Sequence, residues 1–288
     1  MRPSRTALTV RTIGIALLVA WSLGPVLVGV MTSLETRKEA QQVPARWVPA
    51  DPNTEYYSSL LGGESTGSGG VTDAAADATQ FPRALLNTSL LTVVSTLIVL
   101  VIAVFAGYGF ARLEFRGGRQ LLWVVLATMI VPIFTLVVAL YRLLADFDLI
   151  NTFLGMILVF VSTTAPLAIW LFYNHTRELP QEPEEAALID GCTRFGAFRR
   201  VVLPQMTSGI AALTAIVMLA VWGQFLIPLL LTSTQETKPV TVVITEFIGK
   251  YTTNYPLLTA AGVLAMLPPA IVALVLNRHI RGMLSAGG

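Results

Sequence analysis

The run Leu85–Ala111, LLNTSLLTVVSTLIVLVIAVFAGYGFA, carries no charged side chain. About 20 apolar residues in a helix cross the hydrocarbon core of a bilayer, so this run is long enough to span one. Its apolar residues come in blocks, without the ten-residue alternation of lipid-facing and lumen-facing positions that marks a barrel strand. Working outward, five more such runs appear: Ile13–Leu34, Gln120–Tyr141, Leu149–Tyr173, a stretch from about Ser208 to Leu231 inside the uncharged segment Val201–Gln235, and one inside Tyr251–Asn277. The fold class implied is an all-α membrane protein with six transmembrane helices.

Composition agrees with this reading. Of 288 residues, 54% are hydrophobic and 12% charged, against roughly 25% charged in a soluble domain, and mean hydropathy is +0.70. Such a chain neither solvates a globular surface nor stays disordered through excess charge, which excludes a soluble enzyme and a disordered tail. The balance of 19 Lys plus Arg against 17 Asp plus Glu leaves +2, too even for a nucleic-acid footprint. Cys192 stands alone and makes no internal disulfide, while His175 and His279 lie too far apart in sequence for a local metal-ligand cluster.

With six spans the two termini share a side of the membrane. That side holds Arg2, Arg5, Arg11, Arg112, Arg116, Arg119, Arg177, Arg194, Arg199, Arg200, Arg278 and Arg281; the other holds Arg37, Lys38, Arg46, Arg83, Arg142, Lys238 and Lys250. Basic residues collect in cytoplasmic loops, so both termini are expected in the cytoplasm. The organisation read this way is a cytoplasmic N-terminus at 1–12, a first span at 13–34 that exceeds a signal-peptide core, and an external loop at 35–84. The rest, 85–288, holds the second to sixth spans, a charged cytoplasmic loop at about 180–204 and a cytoplasmic tail. Within the external loop GGESTGSGG and VTDAAADATQ read as a flexible insertion. Prolines at 25, 132, 166, 228, 268 and 269 predict kinks inside spans, and Gly107, Gly109 and Ala111 predict close helix approach.

The charged loop, LPQEPEEAALIDGCTRFGAFRRVVLPQ at 179–205, interrupts a chain whose other cytoplasmic links are short. Pro183 suits the first turn of a short helix, Glu184 and Glu185 complement its positive end, and Gly191 stops it. Thr193 caps a second helix that places Phe195, Phe198 and Val202 on one face, and Leu203-Pro204 is expected to end it. The result is a helix-turn-helix at the membrane surface, where Ala186 and Ala187 leave room for another surface to approach.

Glu185-Ala186-Ala187, three residues, Gly191, nine residues, Val201, one residue and Leu203-Pro204 resemble the EAA motif of ABC-importer permeases, in which isoleucine takes the place of Val201. Asp190 beside Gly191 resembles the carbohydrate branch, of the maltose and trehalose type. Asn87-Thr88-Ser89 and the string Ala106–Gly117 are similar to that branch's second span and its exit, and Gly282–Gly288 to its C-terminal end. Trp222 is followed by Gly223 and Gln224, where members of the branch often have asparagine and an acidic residue.

The resemblance implies a multi-pass, non-catalytic subunit of a bacterial cytoplasmic membrane importer. Its partners would be a second permease in a heterodimer, an ATP-binding cassette ATPase dimer and an external sugar-binding protein. ATP and magnesium would bind the ATPase, with no cofactor and no metal in this chain, which indeed lacks the phosphate-cradling GxxxxGK[ST]. It also implies that Glu185, Ala186, Ala187, Asp190, Gly191, Arg194, Phe195, Leu203 and Pro204 form the element that couples to the ATPase, and that the tail is a secondary contact with it. Trp222, Gln224 and Tyr141 are the candidates for a sugar path. The alternative is a stand-alone secondary transporter or channel, which requires intramembrane ionisable residues; Arg142 at a span end is the one approach to such a group. A polytopic membrane enzyme would need clustered carboxylates, histidines or cysteine near a span end, and none is visible.

Overall fold

The computed structural model describes residues 5–44, 48–63, 78–248 and 253–286. The Gly/Ser insertion expected to be flexible falls largely at 64–77 and the final two glycines of the tail at 287–288, outside the described residues. Among the described residues the chain is helical, with one isolated antiparallel bridge between Ile248 and Thr253. Two units can be separated, Met1–Arg83 with Val243–Leu267 and Ala84–Val242 with Pro268–Gly288.

The first unit contains α1 (Arg5–Ser33) and α2 (Glu55–Leu60). None of the apolar window of α1 is buried, as expected of a helix whose solvent is lipid. Past its end, Thr36 and Glu39 cap one another: the Thr36 backbone N–H donates to the Glu39 carboxylate at 3.0 Å, and the Glu39 N–H donates to the Thr36 hydroxyl oxygen at 3.3 Å. Asn53 N–H donates to Leu34 O at 2.7 Å, and the hydroxyls of Ser33 and Tyr57 meet at 2.5 Å, which ties the loop to the helix end.

The remaining helices are α3 (Phe81–Arg112), α4 (Gly118–Ala127), α5 (Ile133–Asp146), α6 (Phe153–Glu178), α7 (Glu182–Ile189), α8 (Arg194–Gln205), α9 (Thr207–Trp222), α10 (Leu226–Leu231), α11 (Val240–Glu246) and α12 (Tyr255–Ala286). Four helices, α1, α3, α6 and α12, are each long and apolar enough to cross a membrane; the number rises to six if each of two bent pairs is one span. The first pair is the third expected span; the second joins α8, from the charged loop, to α9, the first part of the fifth expected span. Gly118–Ile130 and Ile133–Asp146 meet at 98°. Val131 and Pro132 between them are both extended, with ψ of 118° and 131°, because proline drives its predecessor out of the helical region and here it too leaves it. Pro25, Pro166, Pro268 and Pro269 lie inside continuous helices instead.

The fifth expected span differs more. The apolar stretch read as continuous to Leu231 breaks after Trp222, and α10 starts only at Leu226. No proline marks that break, and α9 alone, at 16 residues, rises about 24 Å.

The core of the second unit, Ala84–Val242 with Pro268–Gly288, is built where α6 packs on α9, with Met156, Phe160, Phe172, Met206, Leu213 and Val217 among its buried side chains. Gly107 of α3 also presses on α6: a Cβ there would sit 3.0 Å from the Phe172 ring and the Tyr173 backbone nitrogen. With no hydrophobic drive between helices in lipid, such close packing is what holds them. Gly109 faces open space, so only the first of the two expected glycines serves this purpose. Hydroxyls inside spans donate to their own helix, as Thr176 Oγ1 does to Phe172 O at 2.7 Å.

Candidate functional site

Helix α7 begins with Pro183 in its first turn and three acidic residues, Glu182, Glu184 and Glu185, at its positive end. Its C-terminus closes by two bonds. Gly191 N–H donates to Leu188 O at 3.1 Å and Cys192 N–H to Ala187 O at 3.0 Å, the pattern of a Schellman cap. Gly191 has φ +86°, and a Cβ there would touch nothing within 4 Å. The residue is required for its left-handed backbone, not for space. Two residues on, the Thr193 hydroxyl accepts from Gly196 N–H at 3.1 Å and caps α8.

One expectation for α8 needs correction. Leu203-Pro204 does not end it, since helical backbone continues to Gln205 before a 73° bend into α9. The reason is a π turn at Phe198–Val202, whose wider winding relieves the clash between a proline ring and the carbonyl four residues earlier. Phe195 neighbours Phe198 as expected, with ring centroids 6.3 Å apart, but lies at the outer edge of the expected face. It is 62% exposed, and the face turned inward passes through Ala197, Phe198, Val202 and Met206.

The helix-turn-helix is fastened to the end of α3 by a residue that sequence reading treated only as a helix-end charge. Glu184, 7% exposed, takes the Tyr108 hydroxyl on Oε1 at 2.5 Å and the Arg112 Nε against Oε2 at 3.2 Å. Arg112 also donates from Nη2 to Leu179 O at 2.8 Å, just before α7. Tyr108 and Arg112 are four residues apart, hence neighbours on one face of the last turns of α3. On its other side the Tyr108 ring lies 4.6 Å from that of Phe198, centroid to centroid, and Phe105 lies 5.6 Å from Phe198. Both arms of the motif therefore grip α3, α7 through a buried ion pair and α8 through aromatic packing.

The residues singled out by the motif spacing sit on the other surface. Glu185, Ala186, Asp190, Gly191, Arg194, Phe195 and Pro204 are exposed, and Ala187 and Leu203 half-buried. Arg112, Glu114, Gln181, Glu185 and Arg194 border a polar recess of about 300 Å³ beside α7.

Residues 99–283, which run from α3 through this motif into α12, match the family model described as binding-protein-dependent transport system inner membrane component. The chain belongs to that family. It is 31% identical over 277 residues, 94% of this chain and 86% of the relative, to the diacetylchitobiose uptake system permease protein of Streptomyces coelicolor. Identity is also 31% with the trehalose transport system permease protein of Mycobacterium tuberculosis, over 72% of this chain and 76% of that one. In fold it is similar to a chain of a bacterial ABC transporter involved in alginate import, with a TM-score of 0.78 at 18% identity, covering 96% of this chain and 99% of that chain.

The three residues expected on a substrate path do not converge in this permease. Gln224 borders a cavity of about 830 Å³ together with Thr128, Ser162, Thr163 and Pro166, between α4, α5, α6 and α9. Trp222 borders a separate, smaller one of about 130 Å³ with Ser89, Thr92, Pro268 and Pro269. Tyr141 lines neither and is 45% exposed. Sequence reading missed Ser162, Thr163 and Thr164, whose signal is three consecutive hydroxyls in a largely apolar span.

Proposed function

We propose that this chain is the transmembrane permease subunit of an ATP-driven importer. It would pass a sugar, of di- or oligosaccharide size, from an external solute-binding protein into the cytoplasm by alternating access. Membership of the permease family and the relatives' sugar substrates support this reading. The observation that carries it is the exposed helix-turn-helix locked to α3 through Glu184. A surface motif clamped to a membrane helix can transmit a push, whereas a solvated loop cannot.

In this reading both termini and α7–α8 lie in the cytoplasm of a bacterial inner membrane. Glu185, Ala186, Ala187, Asp190 and Gly191 meet a groove of a separate ATPase dimer that holds ATP and magnesium, and Glu185 pairs with a basic residue there. Arg194 and Phe195 border the contact, and Leu203-Pro204 passes the motion to α9. Closure of the ATPase moves α7; Glu184, Tyr108 and Arg112 carry that movement into α3, and the spans reopen toward the binding protein. A second permease completes the pathway, with Gln224 and the hydroxyls of its cavity as this chain's contribution, Trp222 and Tyr141 standing apart from it.

Gly191→Val tests the assignment. A β-branched residue at φ +86° costs about 1–2 kcal/mol and reshapes the turn without a steric clash. The expected outcome is an assembled complex that hydrolyses ATP with little uptake. Wild-type uptake by this variant would remove the coupling role.

A further inference from the structure

One groove on this permease has no part in the reading above. It has a volume of about 930 Å³ and lies where the α3–α4 link and the start of α4 meet the end of α6. Two helices supply matching ladders to it. On α4 they are Arg119, then Leu122 and Trp123, then Leu126; on α6 they are Arg177, then Tyr173, then Trp170. The spacings of three and four place each set on one helix face. Each ladder goes from a cation at the helix end to aromatic and aliphatic side chains over about 10 Å of rise.

Arg116 adds a third guanidinium from the link, and Glu114 is the carboxylate that also borders the groove. Among the described residues none of the three arginines is paired with a carboxylate. Arg177 is held with its guanidinium carbon 5.6 Å over the Tyr173 ring and donates to the Tyr173 hydroxyl at 3.2 Å, leaving its remaining N–H groups for another acceptor. The N-terminus of α4, with no side-chain cap, adds its positive end.

We propose that this groove is a binding site for an anionic phospholipid, the phosphate on the three arginines and the acyl chains along Leu122, Leu126, Trp123 and Trp170. The occupant follows from the gradient. A free phosphate has no use for an apolar wall that starts one turn from the cations, and a zwitterionic lipid leaves two net positive charges unanswered. Arginine suits the phosphate because its planar fork offers two parallel donors.

The test uses the full chain in phosphatidylcholine vesicles doped with phosphatidylglycerol brominated in its acyl chains, with brominated phosphatidylcholine as reference. Trp123 and Trp170 report the lipid beside them by fluorescence quenching. Brominated phosphatidylglycerol should quench more than phosphatidylcholine at equal content. The excess should shrink in Trp170→Phe and vanish in R116Q/R119Q/R177Q, with affinity falling about fivefold for each arginine removed. The triple lysine variant should retain part of the preference, since it keeps the charge. Inorganic phosphate, set against chloride at matched ionic strength, should leave the excess unchanged. Equal quenching by both lipids, or an excess that survives loss of the arginines, would overturn the proposal. Displacement by inorganic phosphate would also overturn it, by assigning the groove to a soluble anion.

Discussion

Glu184 and Glu185 are adjacent in the chain and opposite in environment. Glu184 is buried against Arg112, whose side chain is 6% exposed, while Glu185 faces outward. Neutralising one member of a buried pair leaves the other charge uncompensated, so Glu184→Gln should lower stability by about 3–5 kcal/mol. Glu185→Gln removes an exposed charge, and its effect on stability should stay within about 0.5 kcal/mol. Thermal unfolding of the purified permease checks this contrast, and equal melting temperatures for the two variants would refute it. Tyr108→Phe should fall between them. It deletes one hydrogen bond to a carboxylate, worth about 1.5–3 kcal/mol, and keeps the ring on Phe198. What the sequence hid here is a pairing across 76 positions, because Glu184, Tyr108 and Arg112 each have an ordinary local explanation. Gly191 and Thr193 were legible because their role is local: a turn and a cap are written in a few consecutive residues.

At the scale of elements, packing decides what a helix tolerates. Gly107 meets α6 and Gly109 meets nothing, so Gly107→Val should destabilise by about 1–3 kcal/mol through overpacking while Gly109→Val spares that contact. Comparing the unfolding of the two in the same detergent isolates the contact from the general effect of β-branching. At the other end of the unit Asn151 holds two loops together. Its Oδ1 accepts from Ser233 N–H, Thr234 N–H and the Thr237 hydroxyl at 2.9, 3.1 and 2.6 Å, and its own N–H donates to Leu231 O at 2.8 Å. It does so at φ +58°, a conformation asparagine adopts more readily than alanine. Asn151→Ala should therefore cost about 3 kcal/mol. It should also expose residues 232–237 to limited proteolysis with helix content unchanged; a cleavage pattern like that of the wild type would refute the clamp. Hydropathy located the apolar blocks because lipid imposes one requirement on every residue of a span. It did not resolve whether a block is one helix. Pro132 marked the break between α4 and α5, but between α9 and α10 only Gly223, Gln224 and Phe225 stand, and their departure from helix is a tertiary effect with Gln224 O accepting from the Thr241 hydroxyl.

For the whole molecule, the question is what drives transport, and the placement of charge says which variant tests it. A carrier coupled to protons needs an ionisable group inside its membrane region or pathway. Among the described residues the buried carboxylates are Glu35 and Glu184. Glu184 is occupied by Arg112 and Tyr108, and Arg142 of α5 is exposed. Glu35 lies just past the end of α1; burial first, and then its neighbour Glu39, raises its carboxyl above the usual value. Of the two buried carboxylates among the described residues, it is the one a proton-driven mechanism could use. Protonated below the raised pKa and ionised above it, such a carboxyl would make uptake fall as pH rises through that value, and Glu35→Gln would abolish the dependence together with accumulation. An ATP-driven importer behaves otherwise. Uptake by cells carrying Glu35→Gln should match the wild type, persist when a protonophore is added at constant ATP, and stop when ATP is depleted. Uptake that outlives ATP and collapses with the proton gradient would transfer the energy source to Glu35 and make this chain a carrier in its own right.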